Sequence, residues 1–369
     1  MRGVDLKRGW CPSLLRPMES GDGWLVRVRP RAAVMTATVT HAVAEAALRY
    51  GNGRIEITNR ANLQIRGLRP ETIEPFAAAM EAVGAADDGP AILVSPLAGV
   101  DPAVAAETLD LAAAIARASG LALPAKFGVL IDGGGVLPLA DLLLDITLRA
   151  VDGSWLLKGE PVPAEEAASR AIALAHALAQ APRQVADRTA VPPAIGFHPY
   201  GDGGHGAVLL APAFGQLHAS QLAALADLAA RHGDGCLRPT PWKSLAIAGV
   251  AQGDEAFLRD QARQLSIIAD PADRRLGIVT CVGAPACRRG EVDTHAAANA
   301  LAASRHEGDP LLHLSGCAKG CAHPGPAAIT LVGENGRFAL IRNGRPGDEA
   351  VARNLTLAQS AALMQSVPA

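Results

Sequence analysis

The stretch Gly51-Asn-Gly-Arg-Ile-Glu-Ile-Thr-Asn-Arg-Ala-Asn-Leu-Gln-Ile-Arg-Gly-Leu68 is matched without a gap by a second one. Its partner is Gly233-Asp-Gly-Cys-Leu-Arg-Pro-Thr-Pro-Trp-Lys-Ser-Leu-Ala-Ile-Ala-Gly-Val250, at a constant offset of 182 residues. Gly51 and Gly233, Gly53 and Gly235, Thr58 and Thr240, Leu63 and Leu245, Ile65 and Ile247, and Gly67 and Gly249 are identical. Each copy reads as a turn, a strand, a tight polar segment and a second strand. An Ala/Leu-rich helical stretch precedes each, at residues 38–50 and 219–232, and strand candidates precede those, at 24–29 and 206–211. Solenoid repeats run about 20–50 residues; a period this long signals a duplicated chain.

Each half therefore begins β-α-β-β, half of a ferredoxin-like sheet. Further out, the first half reads as helix 70–83, strand 91–95, helix 102–119 and strand 127–132, and the second as 254–265, 277–281, 293–303 and 311–315. An Ala-rich helix at 163–180 leads into a short linker, residues 192–205 are loop-rich, and a helix at 356–366 closes the chain. The expected class is α+β and internally duplicated. The expected domains are a ferredoxin-like half-domain at 12–70, an α/β domain at 71–185, a second half-domain at 192–252 and a second α/β domain at 253–369. The 369 residues suffice for two or three ordinary domains at about 150 residues each.

Charge is nearly balanced, with 34 Lys+Arg against 36 Asp+Glu. The basic excess of a protein that works by neutralising phosphates is missing, so no nucleic-acid partner is expected. With 49% hydrophobic and 19% charged residues the chain does not read as disordered. It has no apolar run of membrane-spanning length and no secretory h-region at its start, so a soluble protein of the reducing cytoplasm, with no membrane partner, is expected.

Four of the six cysteines form two tight pairs just after strands: Cys281 and Cys287 as C-x5-C, Cys317 and Cys321 as C-x3-C. Four thiolates in Gly-rich loops are the ligand set of a [4Fe–4S] cluster, whereas the C-x5-C spacing argues against structural zinc. Cys236 alternates along a strand and reads as a core residue, and Cys11 has no assigned role. Gly201-Asp-Gly-Gly-His-Gly206 matches a dinucleotide fingerprint literally but leads into a strand, so it reads as a turn and no NAD or flavin domain is inferred.

The two cysteine pairs, the run Ser315-Gly-Cys-Ala-Lys-Gly-Cys321 and the doubled β-α-β-β unit resemble the sulfite/nitrite reductase superfamily. So do Thr58-Asn-Arg60 with Leu63-Gln64, Ser95-Pro-Leu-Ala-Gly99 with Asp101-Pro102, and Leu123-Pro-Ala-Lys-Phe127. Within that superfamily four further runs resemble the precorrin-3B synthases of aerobic cobalamin biosynthesis. They are Gly9-Trp-Cys-Pro12, Pro17-Met-Glu-Ser-Gly-Asp-Gly-Trp-Leu-Val-Arg27, Gly196-Phe-His-Pro199 and Pro239-Thr-Pro-Trp-Lys-Ser244.

The resemblance implies oxygen-dependent hydroxylation of precorrin-3A at C20 with lactone formation. It also implies a [4Fe–4S] cluster on Cys281, Cys287, Cys317 and Cys321, a mononuclear non-haem iron, and electrons from an external donor protein or an NAD(P)H-linked reductase. Five histidines, His198, His205, His218, His313 and His323, lie near motifs without forming a recognisable iron-binding set. A substrate with many carboxylates needs converging cations. Arg60 matches a base that contacts tetrapyrrole carboxylates in the sirohaem relatives, with Asn62 and Gln64 alternating after it. Arg27 and Arg29 alternate on another strand, and three of only five lysines, Lys126, Lys243 and Lys319, fall inside the motifs.

Two positions depart from the sirohaem enzymes. Gly89-Pro-Ala-Ile92 stands where they commonly carry an Arg-Asn pair, and Gly128 stands where they carry a second base. Both departures favour a tetrapyrrole substrate over bound sirohaem. The alternatives are a sirohaem-dependent sulfite or nitrite reductase, and a non-catalytic iron–sulfur carrier.

Overall fold

A computed structural model describes residues 12–85, 91–118, 123–124, 127–139, 142–179, 192–323 and 325–365. The two repeats fold alike in detail. Helices α1 (Ala37–Tyr50) and α5 (Ala219–His232) stop at Gly51 and Gly233. A Cβ there would stand 2.5 Å from the Arg66 carbonyl oxygen or 2.7 Å from that of Ala248, so the turn needs glycine. Between the following strands, Thr58 N bonds Asn62 O at 2.9 Å and Thr240 N bonds Ser244 O at 2.9 Å. Ala61 (φ 56°) and Lys243 (φ 60°) hold the same left-handed position of that turn.

The first sheet runs β1 (Met18–Ser20), β2 (Gly23–Val28), β5 (Leu63–Leu68), β4 (Arg54–Ile57), β13 (Gln216–His218). The second runs β11 (Gly196–Tyr200), β12 (His205–Leu210), β15 (Leu245–Ala251), β14 (Cys236–Pro239), β3 (Met35–Thr36). The last strand of each is exchanged. β3 precedes α1 in the chain yet closes the second sheet, and β13 precedes α5 yet closes the first. Equivalent bonds fasten the exchange: Ala37 N to Gly235 O and Ala219 N to Gly53 O, both 2.8 Å. Each copy thereby covers the open strand edge of the other.

Two further sheets repeat a second pattern. One runs β10 (Glu160–Val162), β9 (Ser154–Leu157), β8 (Ile146–Val151), β7 (Gly128–Asp132), β6 (Ala91–Val94). The other runs β16 (Ile278–Thr280), β17 (Leu312–Ser315), β18 (Ala327–Glu334), β19 (Arg337–Gly344), β20 (Ala352–Leu355). In both, three parallel strands continue into two antiparallel ones. The helices are α2 (Pro70–Ala82), α3 (Thr108–Ala116), α4 (Ala164–Ala179), α6 (Glu255–Gln264), α7 (Thr294–Ala302) and α8 (Leu357–Gln365). Leu301, Leu312, Leu314, Leu331 and Leu340 fill the core of the last sheet. By packing, Leu25–Ala211 and Leu217–Ala269 belong to one compact unit, and Glu19–Trp24, Pro212–Gln216 and Asp270–Ala369 to the other.

Three expectations change. The helix expected over 102–119 begins only at Thr108, because the buried Asp101 carboxylate binds Ala103 N and Val136 N and holds the segment before it in turns. The loop-rich stretch 192–205 contains β11, whose residues pair with β12 across a turn at Gly201–Gly204. Cys236 is half-buried at the start of β14 and is not a core residue, since it pairs only with the short exchanged strand at Thr36. Among the described residues no helix is long and apolar enough to cross a membrane.

Candidate functional site

The cysteine pairs sit where β16 and β17 end. Cys281 follows β16 directly, and its sulfur accepts the Gly316 N–H at 3.3 Å from the loop after β17. Two of the thiols feel the others: Cys287 and Cys317 act on Cys281, and Cys281, Cys287 and Cys317 act on Cys321. Burial pushes the Cys281 thiol up, opposed by N–H donors from Gly316 and Gly283. Desolvation likewise raises Cys321, against the neighbouring charge of Lys319. Thr294, the first residue of α7, donates its hydroxyl to Cys281 O and pins the strand end to the helix.

A turn outside the cysteine motifs clamps this loop, and the spacing of the cysteines gave no sign of it. Ser20 Oγ and Gly21 N both bond Ala286 O, at 2.9 and 3.0 Å, and Glu19 pairs with Arg288. A Cβ on Gly21 would stand 2.8 Å from Pro285 O and 2.9 Å from Arg288 N, so only glycine fits. The run Pro17-Met-Glu-Ser-Gly-Asp-Gly23 carried that signal as a resemblance, without its physical cause.

The first half holds the same cradle without thiols. Ser95 follows β6 as Cys281 follows β16, and its Oγ accepts the Gly133 N–H at 2.8 Å. Thr108 opens α3 as Thr294 opens α7. Ser95 donates to buried Asp132 at 3.2 Å, which also pairs with Arg149 at 3.3 Å.

The expected ligand-binding residues divide. Arg29, Arg60 and Asn62 line one cleft with Ala91, Ile92, Leu93, Gly128 and Leu144. Arg27 does not join them, because its Nε donates to Gln64 Oε1 at 3.0 Å, and Gln64 in turn bonds Glu56. Glu56 also pairs with the buried Arg66 at 3.3 Å, which makes this a strand-to-strand network. Lys243 occupies the second-copy turn outside the cleft lining, Lys319 is exposed between Cys317 and Cys321, and Lys126 and Cys11 lie outside the described residues. A cleft lined by two arginines, an asparagine and aliphatic residues suits a carboxylate carried on a hydrocarbon arm.

The histidines are dispersed. His198 Nε2 bonds Ala194 O at 2.7 Å, His218 caps α5, and the His313 and His323 rings meet edge to face at 5.6 Å. Among the described residues no three His, Cys, Asp or Glu side chains form a ready site for a single metal ion.

The nitrite/sulfite reductase ferredoxin-like half domain matches the chain twice, over residues 16–83 and 198–270. The NirA protein of Mycobacterium tuberculosis has the same fold, with a TM-score of 0.67 at 19% identity over 92% of this chain and 79% of that one. A ferredoxin–nitrite reductase of Synechococcus elongatus is 25% identical over 88% of this chain and 78% of its own. Fold and repeats thus define an oxidoreductase of the sulfite/nitrite reductase class. A precorrin-3B synthase of Sinorhizobium is 34% identical over 92% of this chain and 84% of its own. Within the class, the chain belongs to the precorrin-3B synthase family.

Proposed function

We propose that the chain converts precorrin-3A to precorrin-3B, by hydroxylation at C20 with closure of a lactone on the ring A acetate. One atom of dioxygen enters the substrate. The other leaves as water, taking two protons and two electrons from an external donor protein or an NAD(P)H-linked reductase. The observation that carries the reading is the 34% identity to the Sinorhizobium precorrin-3B synthase over nearly the whole chain. The nitrite reductase relative is more distant, at 25%.

Cys281, Cys287, Cys317 and Cys321 would hold a [4Fe–4S] cluster, which supplies one-electron transfer when bound. The four interacting thiols and the Gly316 N–H aimed at Cys281 Sγ fit that group, since hydrogen bonds to sulfur stabilise its charge. The Ser20–Gly21 turn keeps the C-x5-C loop in place. Arg29 and Arg60 take substrate carboxylate, and Asn62 adds an amide to the same cleft. Lys126, Lys243 and Lys319 remain carboxylate ligands in this reading, while Arg27 and Gln64 brace the strands behind the cleft. The mononuclear iron has no fitting ligand group among the described residues, and no step is assigned to it. The reaction is placed in the cytoplasm, where thiols stay reduced.

Absorption of the anaerobically purified protein separates this reading from a sirohaem reductase. A broad cluster shoulder without sirohaem bands is expected. Soret and charge-transfer bands of sirohaem would overturn it.

A further inference from the structure

The cleft lined by Arg29, Arg60 and Asn62 includes a strand position that carries no side chain. Gly128 opens β7 and pairs directly with Ala91 on the parallel strand β6, so the two smallest residues of the lining stand side by side. Glycine weakens a strand interior and commonly marks a close approach by a ligand or another chain segment. Here the backbone gives no reason for it. Gly128 is not among the glycines of positive φ, and its N–H is held by Asp145 at 2.9 Å, a bond any residue but proline could make. The three heavy atoms nearest a Cβ at 128 all belong to the Leu144 side chain, with Cδ1 at 3.0 Å and Cγ and Cδ2 at 3.6 Å. Leu144 is itself a wall of the cleft. A side chain at 128 would therefore push Leu144 into the space beside the guanidinium groups or fill that space itself.

We infer that Gly128 is the specificity-determining residue of this cleft, kept small so that one carboxylate-bearing side arm of the substrate can enter between Leu144 and Ala91 and reach Arg29 and Arg60. The arm is of the acetate or propionate class: its methylenes lie against Ile92, Leu93 and Leu144, and its carboxylate meets the guanidinium groups. Charge selects the acid and the bare strand position selects its reach. This inference rests on the tetrapyrrole reading above.

The test is an anaerobic titration of the holoprotein with precorrin-3A and, separately, with sirohydrochlorin, followed by absorbance. Five proteins are compared: wild type, Gly128→Ala, Gly128→Ala with Leu144→Ala, Ala91→Leu, and Gly253→Ala, whose Cβ would enter open space. One methylene misfitted in a pocket changes discrimination by about 10–200-fold. Gly128→Ala is therefore expected to weaken binding at least ~10-fold, and Ala91→Leu to weaken it in the same way from the neighbouring strand. Removing the Leu144 side chain should restore most of the loss, whereas a merely destabilised strand would be made worse by it. Gly253→Ala should bind as wild type. Wild-type binding by Gly128→Ala, or no recovery in the double variant, overturns the inference. If wild type ignores precorrin-3A but binds sirohydrochlorin, the substrate assignment falls, and the same comparison on sirohydrochlorin decides the role of Gly128. If it binds neither, both fall.

Discussion

Cys281 and Ser95 occupy one position in two copies of one cradle, and one atom separates their chemistry. Each follows a parallel strand, and each accepts an N–H from the glycine after the neighbouring strand, Gly316 or Gly133. The sulfur feels the charge of Cys287 and Cys317, while the oxygen donates to Asp132 and through it reaches Arg149. Replacing Cys317 by Ser should therefore cut iron and sulfide content sharply in a quantitative assay of the purified protein; unchanged content would contradict the ligand assignment. Asp132→Asn leaves Arg149 without its carboxylate partner, and removing one member of a buried pair costs about 3–5 kcal/mol. Half-burial of the Arg149 side chain puts the expected loss near the lower end, about 3 kcal/mol in urea unfolding. Arg60→Gln should weaken tetrapyrrole binding at least ~10-fold in an anaerobic absorbance titration, the loss of a charge-assisted carboxylate contact. The cysteine spacing and the basic residue at 60 stand out in the sequence because chemistry restricts which residue types can do such work. The Ser95 cradle was not, because it is visible only in strand register.

At the scale of elements, the repeat predicted most of the architecture, and what escaped it escaped for definable reasons. Helices over 38–50, 70–83 and 219–232 announce themselves by apolar periodicity and by glycines just past their ends. The strands β8, β9 and β10 and their counterparts β18, β19 and β20 were not anticipated, although they complete both α/β sheets. Their segments lie beyond the duplicated motifs, and short apolar runs do not by themselves separate strand from loop. The exchanged strands are beyond any pattern reading, since β3 is only two residues long. The cleft is likewise a product of register: Gly128 lies beside Ala91 because β6 and β7 are parallel and aligned there, 37 residues apart in the chain. Lys243, singled out because lysines are few, lies in the turn of the second copy, at the position that Ala61 holds in the first.

Over the whole molecule, duplication made two interlocked halves and then let them diverge. Each ferredoxin-like sheet is finished by a strand from the other half, through the matched bonds Ala37 to Gly235 and Ala219 to Gly53. His41 and Asp227, 2.8 Å apart, join α1 to α5. A chain cut to residues 12–191 should consequently lack a cooperative thermal transition, having lost β13, the sheet that β3 closes and the partner of α1; sharp two-state melting of that fragment would contradict the interlock. Divergence left the two cysteine pairs in the second half alone and an arginine-lined cleft in the first. The claim that this duplicated oxidoreductase is a tetrapyrrole oxygenase is tested most directly by its product. The holoprotein is incubated anaerobically with precorrin-3A, then given an electron donor and isotopically labelled dioxygen, and the tetrapyrrole is examined by mass spectrometry. A gain of one labelled oxygen atom is predicted. Unchanged substrate, or a product without label, would contradict it.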